Sequence, residues 1–158
     1  MKENIVRGSI EYIGINTDLP DNINMFRIFN LCDSMDNRVV NVIVEEIIQV
    51  VTRIRILEYS FMDTTEGVSV DGQRLTGKKL IVEGICENKI QYMAIDKGDQ
   101  KLETLRYNIP FCEYIVVPSR CTKGNLSDVN VYINDISVRG SIDKLIVSIA
   151  GMLTADIK

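Results

Sequence analysis

Residues 78–94 read KKLIVEGICENKIQYMA and residues 107–118 read YNIPFCEYIVVP, the two most regular stretches of this chain. Leu80, Val82, Gly84 and Cys86 recur at every second position, and a period of two places them on one face of a strand. Residues 87–89 are polar, so we expect a turn there that joins two strands in a hairpin. Proline lacks the N–H group that a central strand needs, so Pro110 should place its strand at a sheet edge or at a strand terminus.

Similar β-type patterns occur along the rest of the chain. They cover residues 10–15, 50–56, 102–109, 114–117, 130–138 and 144–153. Residues 42–51 are mostly apolar, and because valine and isoleucine favour strands we expect extended structure there as well. Residues 67–77 should form a connector or a weak strand, and residues 95–100 should form a turn. The patterns predict an all-β fold, an antiparallel β-sandwich or barrel-like domain with about eight to ten strands of about 5–10 residues each.

The N-terminal residues 1–37 are expected to form a strand or arm and a connector, and residues 38–158 the main β domain. The predicted strand at 10–15 is separated from the rest by a loop that contains Pro20. It is either an edge strand of the same domain or an arm that adds a strand to the sheet of a neighbouring subunit. The residues of this candidate assembly arm are Ile10, Tyr12, Ile13 and Ile15.

The charge balance argues against nucleic acid as a partner. The chain has a net charge of −4 and a pI near 4.9, and its 18 basic residues are scattered. Nucleic-acid affinity comes largely from lysine and arginine side chains that neutralise phosphates, so we expect no such partner. The apolar runs are far shorter than the roughly 20 residues that a membrane span needs, and no signal-peptide pattern opens the sequence. We therefore expect no membrane span and synthesis in the cytosol.

The four cysteines are too widely spaced to form the close pairs that zinc sites use. Cys86 and Cys112 lie in apolar strands, so we expect both thiols to be buried. Cys32 and Cys121 lie in polar, turn-rich segments, which predicts exposed thiols. Because exposed thiols link molecules under oxidising conditions, Cys32 and Cys121 are the candidate intermolecular cross-link.

The composition offers little for catalysis. The chain has no histidine, which excludes Ser-His-Asp and Cys-His arrangements and the usual base near neutral pH. Paired acids hydrolyse glycosidic bonds in some enzymes, but nothing in the sequence singles out pairs such as Glu45 and Glu46. The glycine and acidic segments match neither a phosphate-binding loop nor a calcium loop. We therefore expect no catalytic residue, no cofactor and no metal site.

Taken in order, the motifs of residues 77–118 resemble the SPOCS domain of spore-envelope proteins from Clostridia and their relatives. The positions that carry the resemblance include Lys79, Gly84, Tyr92, Pro110, Phe111 and Pro118. The resemblance extends over about residues 38–155, which is most of the chain. In better-known members of the family a LysM module follows the SPOCS domains. The sequence ends at Lys158 without such a module, so we expect a stand-alone domain.

The resemblance implies a non-enzymatic structural protein of the spore coat or exosporium that self-assembles into a higher-order array or filament. Such a protein is made in the mother-cell cytoplasm and deposited on the spore surface, with itself and other spore-coat proteins as partners. The alternative is an adaptor that binds another spore-coat protein or a glycan as a monomer or dimer. An exposed cluster of aromatic side chains would favour the adaptor, whereas aromatics on alternating strands more often lie in the core. The aromatic residues in question are Tyr92, Tyr107, Phe111, Tyr114 and Tyr132.

Overall fold

The computed structural model of the chain describes residues 1–36, 43–140 and 144–158. All regular structure in these ranges is β-strand, which confirms the predicted all-β class. The strands are β1 (Lys2–Arg7), β2 (Ile10–Asn16), β3 (Phe26–Asp36), β4 (Ile43–Val68), β5 (Arg74–Asp96), β6 (Asp99–Val116), β7 (Leu126–Gly140) and β8 (Lys144–Ile157). β4, β5 and β6 contain 26, 23 and 18 residues, so they are much longer than the predicted strands.

The strands form two sheets that face each other as a sandwich. One sheet has five strands in the order β1-β2-β4-β5-β6, and the other has three in the order β3-β8-β7. Neighbouring strands are antiparallel, except that β2 and β4 run parallel over a short stretch in which residues 11–13 pair with residues 49–51. β3 lies against β6 on one side of the sandwich, and β7 lies against β2 and β4 on the other. The predicted sandwich is confirmed, with one parallel pair that the sequence pattern does not indicate.

The core lies between the sheets and consists of the inward-facing residues of each strand. In β5 the even-numbered residues from 80 to 94 are all buried, and their odd-numbered neighbours are at least partly exposed. Leu145, Val147 and Ile149 of β8 alternate in the same way from the opposite sheet. β5 and β8 each have a strand on both sides, so side chains of the neighbouring strands help to bury their inward-facing residues. Removing this apolar surface from water stabilises the fold by about 25 cal/mol per Å².

The turn predicted at residues 87–89 is wrong, because β5 runs through this segment without interruption. Asn88 faces the core, where its Oδ1 atom accepts a hydrogen bond of 2.7 Å from the hydroxyl of the buried Thr52 on β4. This bond offsets the cost of burying two polar side chains, so the polar residue does not end the strand. The turn predicted at 95–100 is confirmed, since Lys97 and Gly98 have φ angles of 50° and 84° in the two-residue connection from β5 to β6.

The edge position predicted from Pro110 is confirmed. Pro110 lies within β6, where it pairs with Ile85 of β5, and β6 is the last strand of the five-stranded sheet. An edge strand tolerates proline because it has a ladder of hydrogen bonds on one side alone.

The N-terminal residues complete both sheets. β1 and β2 extend the five-stranded sheet, and β3 is an edge strand of the three-stranded sheet. β1 and β3 are not among the predicted strands, although residues 26–31 read FRIFNL. The predicted domain boundary between residues 37 and 38 lies outside the described residues, as does the start of the predicted extended segment at residue 42.

A β-bulge in β2 turns two residues that are three positions apart toward the core. The register between β1 and β2 skips Gly14, and Tyr12 and Ile15 on either side of it are both buried. Gly14 has a φ angle of 121°, and a Cβ atom there would lie 2.1 Å from the carbonyl oxygen of Thr52. β2 can approach β4 only because this residue has no side chain.

We expect Gly14→Ala to destabilise the protein by about 3 kcal/mol or more, since the new methyl group adds a clash with Thr52 to an unfavourable φ angle. The change in the free energy of unfolding is measured by urea denaturation followed by circular dichroism. Gly124→Ala is the control, because its Cβ would have no atom closer than 3.8 Å, and its effect should stay within about 0.5 kcal/mol. Equal midpoints for both variants would contradict this account of the bulge.

Candidate functional site

Two of the residues that carry the resemblance lie opposite each other in the five-stranded sheet. Gly84 of β5 is the cross-strand partner of Phe111 in β6. A Cβ atom on Gly84 would lie 2.4 Å from the Cζ atom of Phe111, so a larger residue would displace the ring. The phenylalanine ring therefore covers the bare backbone of β5 and is itself buried.

The three-stranded sheet repeats this arrangement from the opposite side. Phe29 of β3 pairs with Gly151 of β8, and a Cβ atom on Gly151 would lie 2.5 Å from the Cζ atom of Phe29. The rings of Phe29 and Phe111 meet between the sheets, with their centroids 5.4 Å apart and an interplanar angle of 17°. This stack joins edge strand β6 to edge strand β3. Neither Phe29 nor Gly151 is among the predicted motif residues.

The other motif residues make separate structural contacts. Tyr92 is buried in the core. The Nζ atom of Lys79 lies 3.9 Å from the centroid of the Tyr114 ring, a cation–π contact on the sheet surface. The carbonyl oxygen of Pro118 accepts a hydrogen bond of 2.8 Å from the N–H group of Cys121 in the turn after β6. The motif residues thus shape the sandwich at several places.

The residues of the candidate assembly arm belong to a sheet of their own chain. Tyr12 and Ile15 are buried, and Ile10 and Ile13 are half-buried. The Tyr12 hydroxyl also reaches the opposite sheet, where it accepts a hydrogen bond of 3.4 Å from the backbone N–H group of Val138. This placement agrees with the prediction of a strand within the same domain, but the predicted edge position is wrong, because β2 lies between β1 and β4. Pairing of the arm with a neighbouring subunit stays a prediction.

The prediction of an exposed Cys121 is wrong, because the residue is fully buried at 0 % exposure. Two hydrogen bonds hold its backbone against the end of the sandwich: its N–H group donates to Pro118, and the Nζ atom of Lys78 donates to its carbonyl oxygen over 3.1 Å. The polar residues around Cys121 are exposed to solvent, whereas its thiol packs in the hydrophobic core. Burial raises the pKa of the Cys121 thiol, and the charge of Lys78 lowers it by less.

The prediction of a buried Cys112 is also wrong. Because the preceding residue, Phe111, faces the core, Cys112 faces outward from the five-stranded sheet and is exposed. Cys86 is buried as predicted, and burial raises the pKa of its thiol to about 11. Cys32 is exposed as predicted. Cys32 and Cys112 are therefore the two thiols that solvent reaches.

The outer face of the three-stranded sheet is the side that points away from the core. Its strands β3, β8 and β7 contribute four rows of side chains: Ile28, Met152 and Tyr132; Asn30, Ala150 and Asp135; Cys32, Ser148 and Ser137; and Ser34, Ile146 and Arg139. Phe26, Ile28 and Ile146 are exposed on this side, Ile28 to 58 %. The exposed thiol of Cys32 thus shares a surface with several apolar side chains and with two charged residues, Asp135 and Arg139, that line the same depression.

The aromatic residues do not share one surface. Tyr92 and Phe111 are buried, and Tyr132 lies on the outer face of the other sheet. The hydroxyl of Tyr107 on β6 donates a hydrogen bond to the carboxylate of Asp33 on β3. Burial, together with this bond and the negative charge of Asp33, raises the pKa of Tyr107 to about 12. These residues mainly support the sandwich, so they do not favour the adaptor with an aromatic platform.

A cleft of about 570 Å³ opens at one end of the sandwich, between the start of β3 and the residues that follow β6. Arg27 is one of the residues that line it. The Nε atom of Arg27 lies 3.7 Å from the Glu113 carboxylate, and its guanidinium carbon lies 4.6 Å from the centroid of the Tyr114 ring. The charge of Arg27 is therefore engaged by the protein itself.

Neither a metal cluster nor a spanning helix is found among the described residues. Within residues 1–36, 43–140 and 144–158, no group of three or more histidine, cysteine, aspartate or glutamate side chains is placed to hold a metal ion. In the same ranges no helix has the length and apolar character needed to cross a membrane.

The stack of Phe29 and Phe111 predicts coupling between two residues in different sheets. We expect Phe29→Leu and Phe111→Leu each to destabilise the protein by about 1–2 kcal/mol, because leucine fills most of the volume but loses the ring contact. In a double-mutant cycle of urea denaturation the coupling energy should be about 0.5–1.5 kcal/mol. The control pairs Phe111→Leu with Phe26→Leu, since Phe26 is exposed on the opposite side of β3. A coupling energy near zero for the first pair would show that the stack contributes nothing.

The burial of the thiols predicts their reactivity. In the native protein the reagent DTNB should label Cys32 and Cys112 quickly at pH 8, because both are exposed. Cys86 and Cys121 should stay unlabelled, since burial disfavours the reactive thiolate in both. In 6 M guanidinium chloride all four should react within the same time. Rapid native labelling of a third thiol, located by mass spectrometry, would contradict the burial described above.

The comparisons with known proteins agree with the motif residues. A family model described as the SipL SPOCS domain matches residues 43–140. This range spans β4 to β7, which is more than half of the chain, and includes Gly84 and Phe111. No curated protein and no solved structure gives a significant match. The matched domain is associated with sporulation. The chain belongs to the SPOCS domain family.

Proposed function

We propose that this chain is a non-enzymatic structural protein of the bacterial spore envelope, in the coat or exosporium, whose copies assemble into an array or filament. Its family membership supports a sporulation-related role. The observation that carries the proposal is the outer face of the three-stranded sheet, where apolar side chains and a free thiol are exposed at ordered strand positions.

The outer face suits a second copy of the same chain. Ile28 is exposed beside Met152, which is already buried, and beside the half-buried Tyr132. Two such faces would therefore bury chiefly Ile28, Phe26 and the exposed part of Tyr132 between them. The four rows carry one charge of each sign, Asp135 and Arg139, so two like faces repel each other weakly. Burying apolar surface in this way contributes about 25 cal/mol per Å² before the cost of association.

The Cys32 thiol allows such a contact to become covalent. It is exposed on the outer face, four positions along β3 from Ile28. When two Cys32 thiols meet, an S–S bond forms and two electrons and two protons pass to an oxidant such as molecular oxygen. Oxidation becomes possible once a protein made in the mother-cell cytoplasm is exposed on the spore surface. Non-covalent contact would therefore precede the covalent link.

The chemistry of the chain supports a role without catalysis. The sequence has no histidine to act as a base near neutral pH. The thiol of Cys86, with a pKa of about 11, is protonated at that pH and is a poor nucleophile. The partners in this proposal are other copies of the chain and other spore-coat proteins. An adaptor that works as a discrete monomer or dimer is the alternative that the experiment must separate.

We expect the purified protein to form filaments or sheets in negative-stain electron microscopy, and Ile28→Glu to abolish them. A glutamate in the apolar row would have to lose its hydration when two outer faces meet. Leu102→Glu is a matched control, because Leu102 is 60 % exposed and Ile28 is 58 % exposed, but Leu102 lies on the other sheet. The proteins should have the same circular dichroism spectrum.

The covalent step is tested on the same grids. Cys32→Ser should still form the assemblies. After oxidation these should dissociate on dilution, because no disulfide links the copies, whereas Cys112→Ser assemblies should persist like those of the wild type. A uniform field of small particles from the wild type, under both oxidising and reducing conditions, would reject self-assembly and favour the adaptor. Loss of assemblies in Leu102→Glu but not in Ile28→Glu would reject the outer face as the contact surface.

A further inference from the structure

Each sheet of a sandwich has two edge strands, and an uncovered edge presents backbone groups that pair with other strands. In this chain two of the four edge strands, β3 and β6, lie against each other. The stack of Phe29 and Phe111 joins them, and the Tyr107 hydroxyl donates a hydrogen bond to Asp33. The molecule itself therefore covers these two edges near Tyr107 and Phe111, whereas residues 99–104 at the start of β6 stay exposed.

The third edge strand, β7, is covered by side chains from β2. The backbone N–H group of Ile133 donates a hydrogen bond of 2.9 Å to the Oδ1 atom of Asn16, and that of Val138 donates one of 3.4 Å to the Tyr12 hydroxyl. Arg7 also forms an ion pair with Asp135 of β7. Side chains thus take the place of a neighbouring strand along this edge.

The fourth edge strand, β1, has no strand beyond it in the part of the chain that the structure describes. Five of its six residues are exposed. The bulge residue of the β1–β2 pair is Gly14 in β2, so β1 itself keeps a regular alternation, and it contains no proline. Proline and bulges are two of the devices that protect natural edges from pairing. β1 has neither of them.

We propose that β1 pairs antiparallel with β1 of a second copy about a two-fold axis at Ile5, which merges two five-stranded sheets into one. In this register Glu3 of each copy lies opposite Arg7 of the other, and Glu3 joins the ion pair that Arg7 makes with Asp135 of its own chain. Ile5 lies opposite its own counterpart. An axis at Asn4 would instead place Glu3 opposite Ile5, and an axis at Val6 would place Ile5 opposite Arg7. Charge complementarity therefore selects the axis at Ile5.

This inference rests on the proposed self-assembly and supplies a second contact for it. A contact about a two-fold axis uses the same surface on both copies, so it joins two copies and leaves no place for a third. If outer faces pair about one axis and β1 strands pair about another, every copy has two partners through two different surfaces. Such an assembly continues without closing after two copies, which is what a filament or array requires.

Disulfide trapping tests the pairing directly. In a background with Cys32→Ser and Cys112→Ser, Ile5→Cys should form a covalent dimer on mild oxidation, because directly opposed residues have Cα atoms about 4.5–5.5 Å apart, within disulfide range. Val6→Cys is the matched control. Val6 is 67 % exposed and Ile5 is half-buried, but two copies of residue 6 would lie about 8 Å apart on diagonal positions.

We expect Ile5→Cys to form dimers at least tenfold faster than Val6→Cys on non-reducing gels. Random collision would give the opposite order, since the cysteine at position 6 is more accessible. Equal rates, or faster linking through position 6, would overturn the proposed register.

Charge reversal provides a second readout that leaves the thiols untouched. In the Ile28→Glu background, where the outer faces do not pair, Glu3→Lys should raise the dimer dissociation constant about threefold in sedimentation equilibrium at low salt. A lysine at position 3 would face Arg7 of the other copy, whose charge Asp135 offsets only in part. Lys2→Glu should leave it unchanged, since residue 2 lies opposite Gly8 of the second copy, beyond the end of β1. An unchanged dissociation constant for Glu3→Lys would overturn the register.

The outcomes separate this inference from the proposed function. Wild-type assemblies without trapping through position 5 would reject the β1 contact and leave self-assembly standing. Trapping through position 5 without wild-type assemblies would support the β1 dimer and reject the array. Neither assemblies nor trapping would reject both.

Discussion

The contact between Phe29 and Phe111 determines how the two sheets meet. Each ring lies across a glycine of the neighbouring inner strand, Gly151 or Gly84, at a place where a Cβ atom would come within 2.5 Å of it. Because the glycines leave this space free, rings from two edge strands approach closely enough to stack between the sheets. The stack brings β3 and β6 together and covers their edges around these two rings.

The opposite side of the sandwich is held by hydrogen bonds from β2. The bulge at Gly14 turns Tyr12 and Ile15 toward the core, and the Tyr12 hydroxyl accepts a backbone N–H group of β7. β2, β3 and β8 all lie outside the matched residues 43–140. A sheet must bury its apolar face against another layer, so the matched strands alone do not make a complete core. The N-terminal residues are therefore structural, whatever contacts they make with other subunits.

Sequence patterns predict the all-β class, the turn at 95–100 and the edge position of Pro110, because each depends on local spacing or on one residue's chemistry. The failures depend on contacts between distant residues. Residues 87–89 stay in a strand because Asn88 finds Thr52, 36 positions earlier in the chain. Cys121 is buried because Lys78 and Pro118 hold its loop. The apolar residues at 26–31 could have indicated β3, but they do not alternate with polar ones, because Phe26 and Ile28 face outward.

Burial also decides how covalent chemistry can act in the proposed array. Cys86 and Cys121 are buried with raised pKa values, so neither supplies a thiolate that would form a wrong disulfide. The accessible thiols, Cys32 and Cys112, lie on outward sides of different sheets. A disulfide requires Cα atoms about 4.4–6.8 Å apart, so two Cys32 residues can join only where outer faces are already aligned. Oxidation at Cys32 would thus stabilise an existing arrangement of copies, and the apolar and edge contacts would have to specify that arrangement first.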